Sequence, residues 1–219
     1  MLDGLVEIIV IGYNLQKIEG ECLSSITSNT TYRPYSISFF DNYESGLSLT
    51  EAWNWLINLS DAEFIVLLNN DTIVRPGWLR GMVEVFGFSD GVGFVGPSTN
   101  NCHSPQKNIP TFEEAQKHLG ESQVMEQPIS GFCLLFRKSL WNKLGGFDER
   151  FRFYGQESMF QFKAQQLGYK IVWKKDAFVY HIGEASIKTC DRDVEAERKE
   201  AKKLYWEEVE KYQVKVGAK

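Results

Sequence analysis

Polar pairs follow three apolar segments in the first half of the chain, and their side chains suit the binding of a polar ligand. The pairs are Tyr13-Asn14, Asp41-Asn42 and Asn70-Asp71. A carboxylate accepts short, strong hydrogen bonds from N–H donors, and carboxylate and carbonyl oxygens are the ligands that Mg²⁺ and similar hard cations prefer. The ring of a tyrosine adds a flat apolar face. The alternative is that each pair simply forms a turn after a strand.

Three further side chains that could take part in catalysis or metal binding lie in the second half. Asp148 follows Gly145-Gly146, Glu157 precedes Ser158, and His181 follows an apolar run. A carboxylate can act as a general base, and an imidazole beside a carboxylate can bind a transition metal. Each also has an ordinary interpretation, because acidic residues are common at helix starts and a histidine beside a strand is often a core or turn residue.

The elements that would position the three pairs alternate between strand and helix. Strands are predicted over Val6–Ile11, Tyr35–Phe40 and Phe64–Leu68, with amphipathic helices between them and a third helix after Pro76. This alternation predicts an α/β fold with a parallel sheet covered on both faces. Ligands bind beyond the carboxyl ends of such strands, so the three pairs are expected to meet at one edge.

The second half is less regular. Strands are predicted over Val92–Val95 and Phe132–Phe136, and a strand or a hairpin is predicted over Ile171–Tyr180. Three helices are also expected. One opens with a capping box at Thr111, one covers Ser139–Leu144 and stops at Gly145-Gly146, and one is capped by Ser158. The charged tail from Asp191 keeps a helical apolar stripe, which predicts a helix packed on the domain.

Composition sets limits on function. The 219 residues carry a net charge of −5, with 43% hydrophobic and 24% charged residues, which is ordinary globular composition. The acidic balance argues against a nucleic-acid partner, and no apolar run approaches the roughly 20 residues of a membrane span. No signal peptide is recognisable, and Cys22, Cys102, Cys133 and Cys190 form no CxxC pair. We therefore expect a cytoplasmic location, with peripheral association at a membrane as an alternative.

An ordered set of segments resembles the family 2 glycosyltransferases, inverting enzymes that use nucleotide sugars and have a GT-A fold. The matching pieces are Gly12-Tyr13-Asn14, Phe40-Asp41-Asn42, Leu67 to Asp71, Pro76-Gly77-Trp78, Ser130-Gly131-Phe132, Gly145 to Glu149, Tyr154 to Glu157 and His181. The resemblance implies a mixed, mainly parallel central sheet flanked by helices. It implies a catalytic domain over residues 1–189 and a C-terminal helical segment over residues 190–219, packed on the domain or serving as a contact, for instance in a homodimer.

The resemblance also implies roles for individual residues. Asp71 and His181 would bind a divalent metal, Mn²⁺ or Mg²⁺, and Glu157 would be the general base, with Asp148 as second choice. Asp41 would accept a hydrogen bond from the nucleotide base, and the ring of Tyr13 would pack against that base. The remaining residues expected to bind the nucleotide sugar are Asn14, Asn69, Asn70, Gly131 and Gln156. The start of a helix near Glu157 would favour its ionised form.

The partners implied are a UDP-, dTDP- or GDP-linked sugar and a saccharide or other hydroxyl acceptor. An acidic chain that binds an anionic diphosphate is expected to depend on a divalent cation. Asn69 and Gln156 stand where many relatives have acidic residues, which leaves open a degenerate member that only binds nucleotide sugars or acts as a scaffold. A sugar nucleotidyltransferase is a weaker alternative, since no Gly-rich loop bearing Arg or Lys follows the first strand.

Overall fold

A computed structural model describes residues 4–183, 185 and 192–217. The strands are β1 (Val6–Gly12), β2 (Tyr35–Asp41), β3 (Phe64–Asn69), β4 (Thr72–Val74), β5 (Val92–Ser98), β6 (Ser122–Met125), β7 (Cys133–Arg137) and β8 (Lys170–His181). The helices are α1 (Gln16–Asn29), α2 (Leu49–Leu59), α3 (Trp78–Glu84), α4 (Phe112–Ala115), α5 (Lys138–Leu144), α6 (Gln156–Gln166) and α7 (Val194–Gly217).

The strands form one mixed sheet in the order β2-β1-β3-β7-β5-β8-β4, with β6 paired to β8. β1 pairs in parallel with β2 and β3, and β5 pairs in parallel with β8, whereas β7 runs antiparallel between β3 and β5. Gly12 aligns with Asp41 and Ile11 with Asn69. The predicted meeting of three strand ends at one edge is therefore confirmed, as is the predicted α/β fold with helices on a central sheet.

The core lies on both faces of this sheet. β1 shows the arrangement, since Val6, Ile8 and Val10 pack into one hydrophobic cluster and Ile9 and Ile11 pack into the other. Side chains alternate across a strand, so a strand buried on both faces is a continuous β-branched run. The rigid sheet holds the residues at its edge in place.

Three elements differ from the predictions, and the first is β6, which forms in a segment where no strand was predicted. α6 begins at Gln156 after Gly155, which is left-handed with φ 84°, so the prediction that Ser158 caps this helix is wrong. The glycine takes the tight turn that other residues adopt at a cost. β4 was not predicted, and it pairs Thr72 opposite His181. Thr111 caps α4, and this single turn is the short helix that the sequence predicts there.

The tail forms α7, which packs on α6 through a small cluster of Phe151, Met159 and Val209. The expected boundary at 189/190 and Cys190 lie outside the described residues, so the division into a domain and a C-terminal segment stays a prediction. Cys22, Cys102 and Cys133 are buried free thiols. Within the described part of the chain, no helix has the length and apolar character needed to span a bilayer.

Candidate active site

A cavity of about 240 Å³ lies at the carboxyl ends of β1 and β3. Eight of the residues selected from the sequence line it: Tyr13, Asn69, Asn70, Asp71, Gly131, Gln156, Glu157 and His181. Asn14, Asp41 and Asp148 are not among its lining residues. The fold thus brings the candidate metal ligands and the candidate base, which are far apart in sequence, into one cavity.

Asp71 and His181 face each other across the β4–β8 pair. His181 Nε2 lies 3.3 Å from Asp71 Oδ1, and His181 Nδ1 lies 2.8 Å from the carbonyl oxygen of Asn101. A carbonyl only accepts, so Nδ1 carries the proton and Nε2 faces Asp71. The ring also stacks on Phe132, with centroids 5.1 Å apart. An imidazole oriented by a carbonyl in this way is typical of a metal ligand.

The two groups stabilise each other's charge. Burial alone would raise the pKa of Asp71, but the hydrogen bond and charge of His181 and the backbone N–H of Ala185 together hold it below its usual value. Burial alone would lower the pKa of His181, and Asp71 reverses this so that the pKa is raised. Asp71 is therefore a carboxylate, although its side chain is almost completely buried.

A divalent cation fits this pair if other ligands complete its coordination. No cluster of three or more His, Cys, Asp or Glu side chains suited to a metal occurs among the described residues. Cations such as Mg²⁺ are commonly held by one or two protein carboxylates together with substrate phosphates. Asn69 lies beside the pair, with its Nδ2 3.5 Å from His181 Nε2. The donor set is one oxygen and one nitrogen, and the imidazole nitrogen favours Mn²⁺ over Mg²⁺.

Glu19 is a site residue that the sequence analysis missed. Its carboxylate is buried, and its Oε1 accepts hydrogen bonds from Tyr13 N at 2.6 Å and from Asn70 Nδ2 at 3.0 Å. It therefore joins the end of β1 to the loop that carries Asp71. Its spacing was a usable signal, since Glu19 lies three residues before Cys22 and seven before Ile26 on the buried face of α1.

Asp41 shapes the neighbouring turn from outside the cavity. Its exposed Oδ1 accepts the backbone N–H groups of Asn14, at 3.2 Å, and Tyr43, at 3.1 Å. Asn14 itself is left-handed, with φ 54°. The buried Asn42, rather than Asp41, lines the cavity beside Tyr13. The geometry supports a turn-forming role for Asp41 and leaves its Oδ2 without a role in that turn.

Glu157 lies in the first turn of α6, and its side chain packs on Gly131. A Cβ at Gly131 would lie 2.4 Å from Glu157 Cγ and 2.7 Å from Oε1, so glycine makes room for the carboxyl group. Glu157 Oε2 and Gln156 Oε1 are buried, and neither has a hydrogen-bond partner among the residues that the structure describes. Burial raises the pKa of Glu157, so desolvation outweighs the helix-terminal effect expected from the sequence. A raised pKa makes this carboxylate a stronger base.

Asp148 is engaged elsewhere. Arg150 donates to it through Nε at 2.9 Å and Nη2 at 2.5 Å, and Arg150 Nη1 donates to Glu208 of α7 at 3.0 Å. The hydrogen bond from Arg150 is the main cause of the lowered pKa of Asp148. These contacts tie α7 to the loop before α6, and they give Asp148 a structural position away from the cavity.

Aromatic side chains complete the wall opposite β1. Phe153 and Tyr154 line the cavity, and the guanidinium of Arg192 lies 3.3 Å from the Phe153 ring centroid. Arg192 also lines the cavity, and the sequence did not single it out. The nearby aromatic residue Phe151 is buried in the core and does not line the cavity.

A family profile described as Glycosyl transferase family group 2 matches residues 64–203, which is more than half of the chain. The O-antigen biosynthesis protein RfbC of Myxococcus xanthus is 23% identical over 190 residues, covering 74% of this chain and 15% of that protein. This chain therefore spans a small part of the length of that curated relative.

Solved structures share the fold. The mannosyltransferase PcManGT from Pyrobaculum calidifontis, in complex with GDP-Man and Mn²⁺, has a TM-score of 0.63 at 17% identity, covering 91% of this chain and 61% of that one. GalNAc-T7 with UDP, GalNAc and Mn²⁺ has a TM-score of 0.64 at 12% identity, covering 82% and 44%. S. aureus TarS 1-349 has a TM-score of 0.57 at 14% identity, covering 90% and 69%. At these identities the similarity establishes the fold.

Proposed function

This chain belongs to glycosyl transferase family group 2, and from that membership we propose that it moves a sugar from a nucleotide-diphosphate sugar to an acceptor hydroxyl. The observation that carries the proposal is the presence of two chemically distinct centres in one cavity. The Asp71–His181 pair suits a divalent cation that would bind the anionic diphosphate of a donor. The desolvated carboxyl group of Glu157 suits the removal of a proton.

The donor would lie across the ends of β1 and β3. Tyr13 and Asn42 would wall the nucleoside, beside Asn70 and the loop that Glu19 holds. Because the turn uses Oδ1 of Asp41, we assign its Oδ2 to a base N–H, which requires the base to reach the exposed side of that turn. The backbone N–H of Asn14 donates to Asp41 Oδ1, so Asn14 would help to hold the same turn. These groups suit a uridine, thymidine or guanosine diphosphate.

Asp71 Oδ1 and His181 Nε2 would hold a divalent cation, with Asn69 beside them. When bound, such an ion neutralises the charge that develops on the departing diphosphate. Two structural neighbours hold Mn²⁺, one together with UDP and the other together with GDP-Man, and the donor set here accommodates the same ion. Donor binding is therefore expected to depend on Mn²⁺ or Mg²⁺.

Glu157 would accept the proton of the acceptor hydroxyl as that oxygen attacks the anomeric carbon. Attack on the face opposite the departing diphosphate gives inversion in one displacement. Gln156, next to it, cannot take a proton and would instead offer its unpartnered Oε1 to a sugar hydroxyl. Gly131 leaves the space in which the Glu157 carboxyl group sits. Asp148, bound to Arg150, is the weaker candidate for the base.

Calorimetry with UDP, GDP and dTDP, each with and without Mn²⁺, tests the donor site. We expect one nucleotide to bind in the presence of Mn²⁺, and Asp71→Asn to abolish the Mn²⁺-dependent part of its affinity. The matched control is Asp61→Asn, an exposed carboxylate outside the cavity. Binding that ignores both Mn²⁺ and Asp71→Asn would contradict the metal assignment, and no binding of any nucleotide would contradict the donor site.

A further inference from the structure

A second cavity, of about 360 Å³, lies between the start of α6 and α7. Tyr154 and Ser158 line it from the side of α6, and Arg198, Lys202 and Tyr205 line it from α7. The proposed function uses none of these α7 residues. We call this space the α6–α7 cavity.

The lining of the α6–α7 cavity has a distinct chemistry. It combines three hydroxyl groups with two cations, and the residues described along its walls include no Asp or Glu, in a chain with 29 acidic and 24 basic residues. The Arg198 guanidinium lies 5.2 Å from the Tyr154 ring centroid, and it also pairs at 3.5 Å with Glu195, an exposed carboxylate outside the cavity lining. Burial raises the pKa of Tyr205, so its hydroxyl stays protonated and can donate. Hydroxyls, rings and cations together suit a sugar that carries a negative charge.

The position of this cavity relates it to the acceptor. Tyr154 lines both cavities, and Glu157 and Ser158 are consecutive on α6, with Glu157 lining the first cavity and Ser158 the second. A molecule seated in the α6–α7 cavity therefore lies beside the end of the active site that holds the proposed base. The Asp71–His181 pair lines the first cavity and not the second.

We propose that the α6–α7 cavity binds a negatively charged group, a phosphate or a carboxylate, on the acceptor saccharide, with Lys202 as the counter-charge. This inference rests on the proposed function, and it narrows the acceptor from any hydroxyl compound to an anionic one. Because Lys202 is exposed, its contribution weakens as salt rises.

Saturation-transfer NMR on the full chain tests the proposal with three probes: glucose, glucose 6-phosphate and glucuronate. We expect binding of at least one anionic probe, weaker binding of glucose, and loss of the difference at high salt. Which anionic probe binds identifies phosphate or carboxylate as the source of the charge. Lys202→Glu is expected to weaken the anionic probe about tenfold or more, because it reverses a charge beside the anion.

Lys203→Glu is the matched control, since it makes the same change on the next residue, which is exposed and lies outside the cavity lining. Equal binding of glucose and both anions, or equal losses in the two variants, would overturn the proposal. Titration of the same samples with UDP and GDP in Mn²⁺ separates this result from the proposed function. Donor binding without anion binding refutes the acceptor class alone, whereas absence of donor binding refutes the proposed function.

Discussion

Replacement of Gly131 by alanine is a sharp test of how the fold holds Glu157. The added Cβ would lie 2.4 Å from Glu157 Cγ and 2.7 Å from Glu157 Oε1. Carbon atoms in contact lie about 3.5–4.0 Å apart, so the Glu157 side chain must move by roughly 1 Å. Gly131 is not among the residues with positive φ, so the effect comes from the methyl group and not from backbone strain.

The expected consequence is a loss of rate with donor binding intact. A misplacement of roughly 1 Å can cost about 10²-fold, equal to about 2.7 kcal/mol in the activation free energy. The clash also costs about 1–3 kcal/mol of stability if the surroundings do not relax. Steady-state kinetics of nucleotide-sugar turnover gives kcat, calorimetry gives donor affinity, and thermal unfolding gives stability.

Gly20→Ala is the matched control. Gly20 lies in α1, and a Cβ there meets nothing within 4 Å, so we expect unchanged kcat and a gain of about 1 kcal/mol in the free energy of unfolding. If Gly131→Ala keeps the kcat of the Gly20→Ala variant, Glu157 is not the base or its position does not matter. A loss confined to donor affinity would place Gly131 and Glu157 in donor binding instead.

Three further outcomes are expected. Glu19→Ala leaves the Tyr13 N–H and the Asn70 amide without their acceptor, so we expect a loss of about 1–3 kcal/mol in the free energy of unfolding and weaker donor binding. Glu19→Gln retains an oxygen and should recover part of both, and equal behaviour of the two variants in calorimetry and urea unfolding would refute this role. Because burial raises the pKa of Glu157, kcat should rise with pH through a pKa above the ordinary 4.5, and a rise at or below 4.5 would contradict the observed burial. The folded state favours the protonated carboxyl group, so the free energy of unfolding should fall relative to that of Glu157→Gln as the pH rises through the same range. Arg150→Ala removes two partly exposed ion pairs, so we expect the free energy of unfolding to fall by at most about 1 kcal/mol and the donor affinity to stay unchanged. A large loss of donor affinity would show that Asp148 acts in the site.

Local sequence pattern predicted the part of the fold that depends on local signals. β1 and β3 are mainly apolar, β2 alternates serine with apolar residues, and a polar pair follows the apolar part of each strand. The helices between them predict that the strands are parallel, and β1 pairs with both of the others. The ordered motifs placed eight site residues in one cavity, although the individual roles stay proposals.

Pairings between distant segments could not be predicted in this way. β4 has three residues, and it forms because Thr72 pairs with His181 more than one hundred residues later. That pairing brings His181 next to Asp71. Asp41 and Asp148 illustrate the same limit, because their partners, two backbone N–H groups and the Arg150 side chain, are revealed by geometry.

Desolvation was the other physical effect that the sequence did not reveal. A glutamate in the first turn of a helix is ordinarily exposed and ionised by the dipole, but packing on Gly131 buries the Glu157 carboxyl group. The spacing of Glu19 places it on the buried face of α1, but its role depends on two distant donors, Tyr13 N–H and the Asn70 amide, which the geometry reveals. Both glutamates are buried at positions where the local sequence pattern predicts an exposed or an apolar residue, and such departures are expected at functional sites.

Release of sugar from a panel of UDP-, GDP- and dTDP-linked donors in Mn²⁺, compared between the natural chain and Glu157→Gln, tests the central claim most directly. The proposed function predicts turnover of at least one donor, a product of inverted anomeric configuration, and a rate about 10²–10⁴-fold lower in Glu157→Gln at unchanged donor affinity. Donor binding with no turnover of any nucleotide sugar would indicate a binding or scaffold protein. Full activity in Glu157→Gln would contradict the assignment of the base.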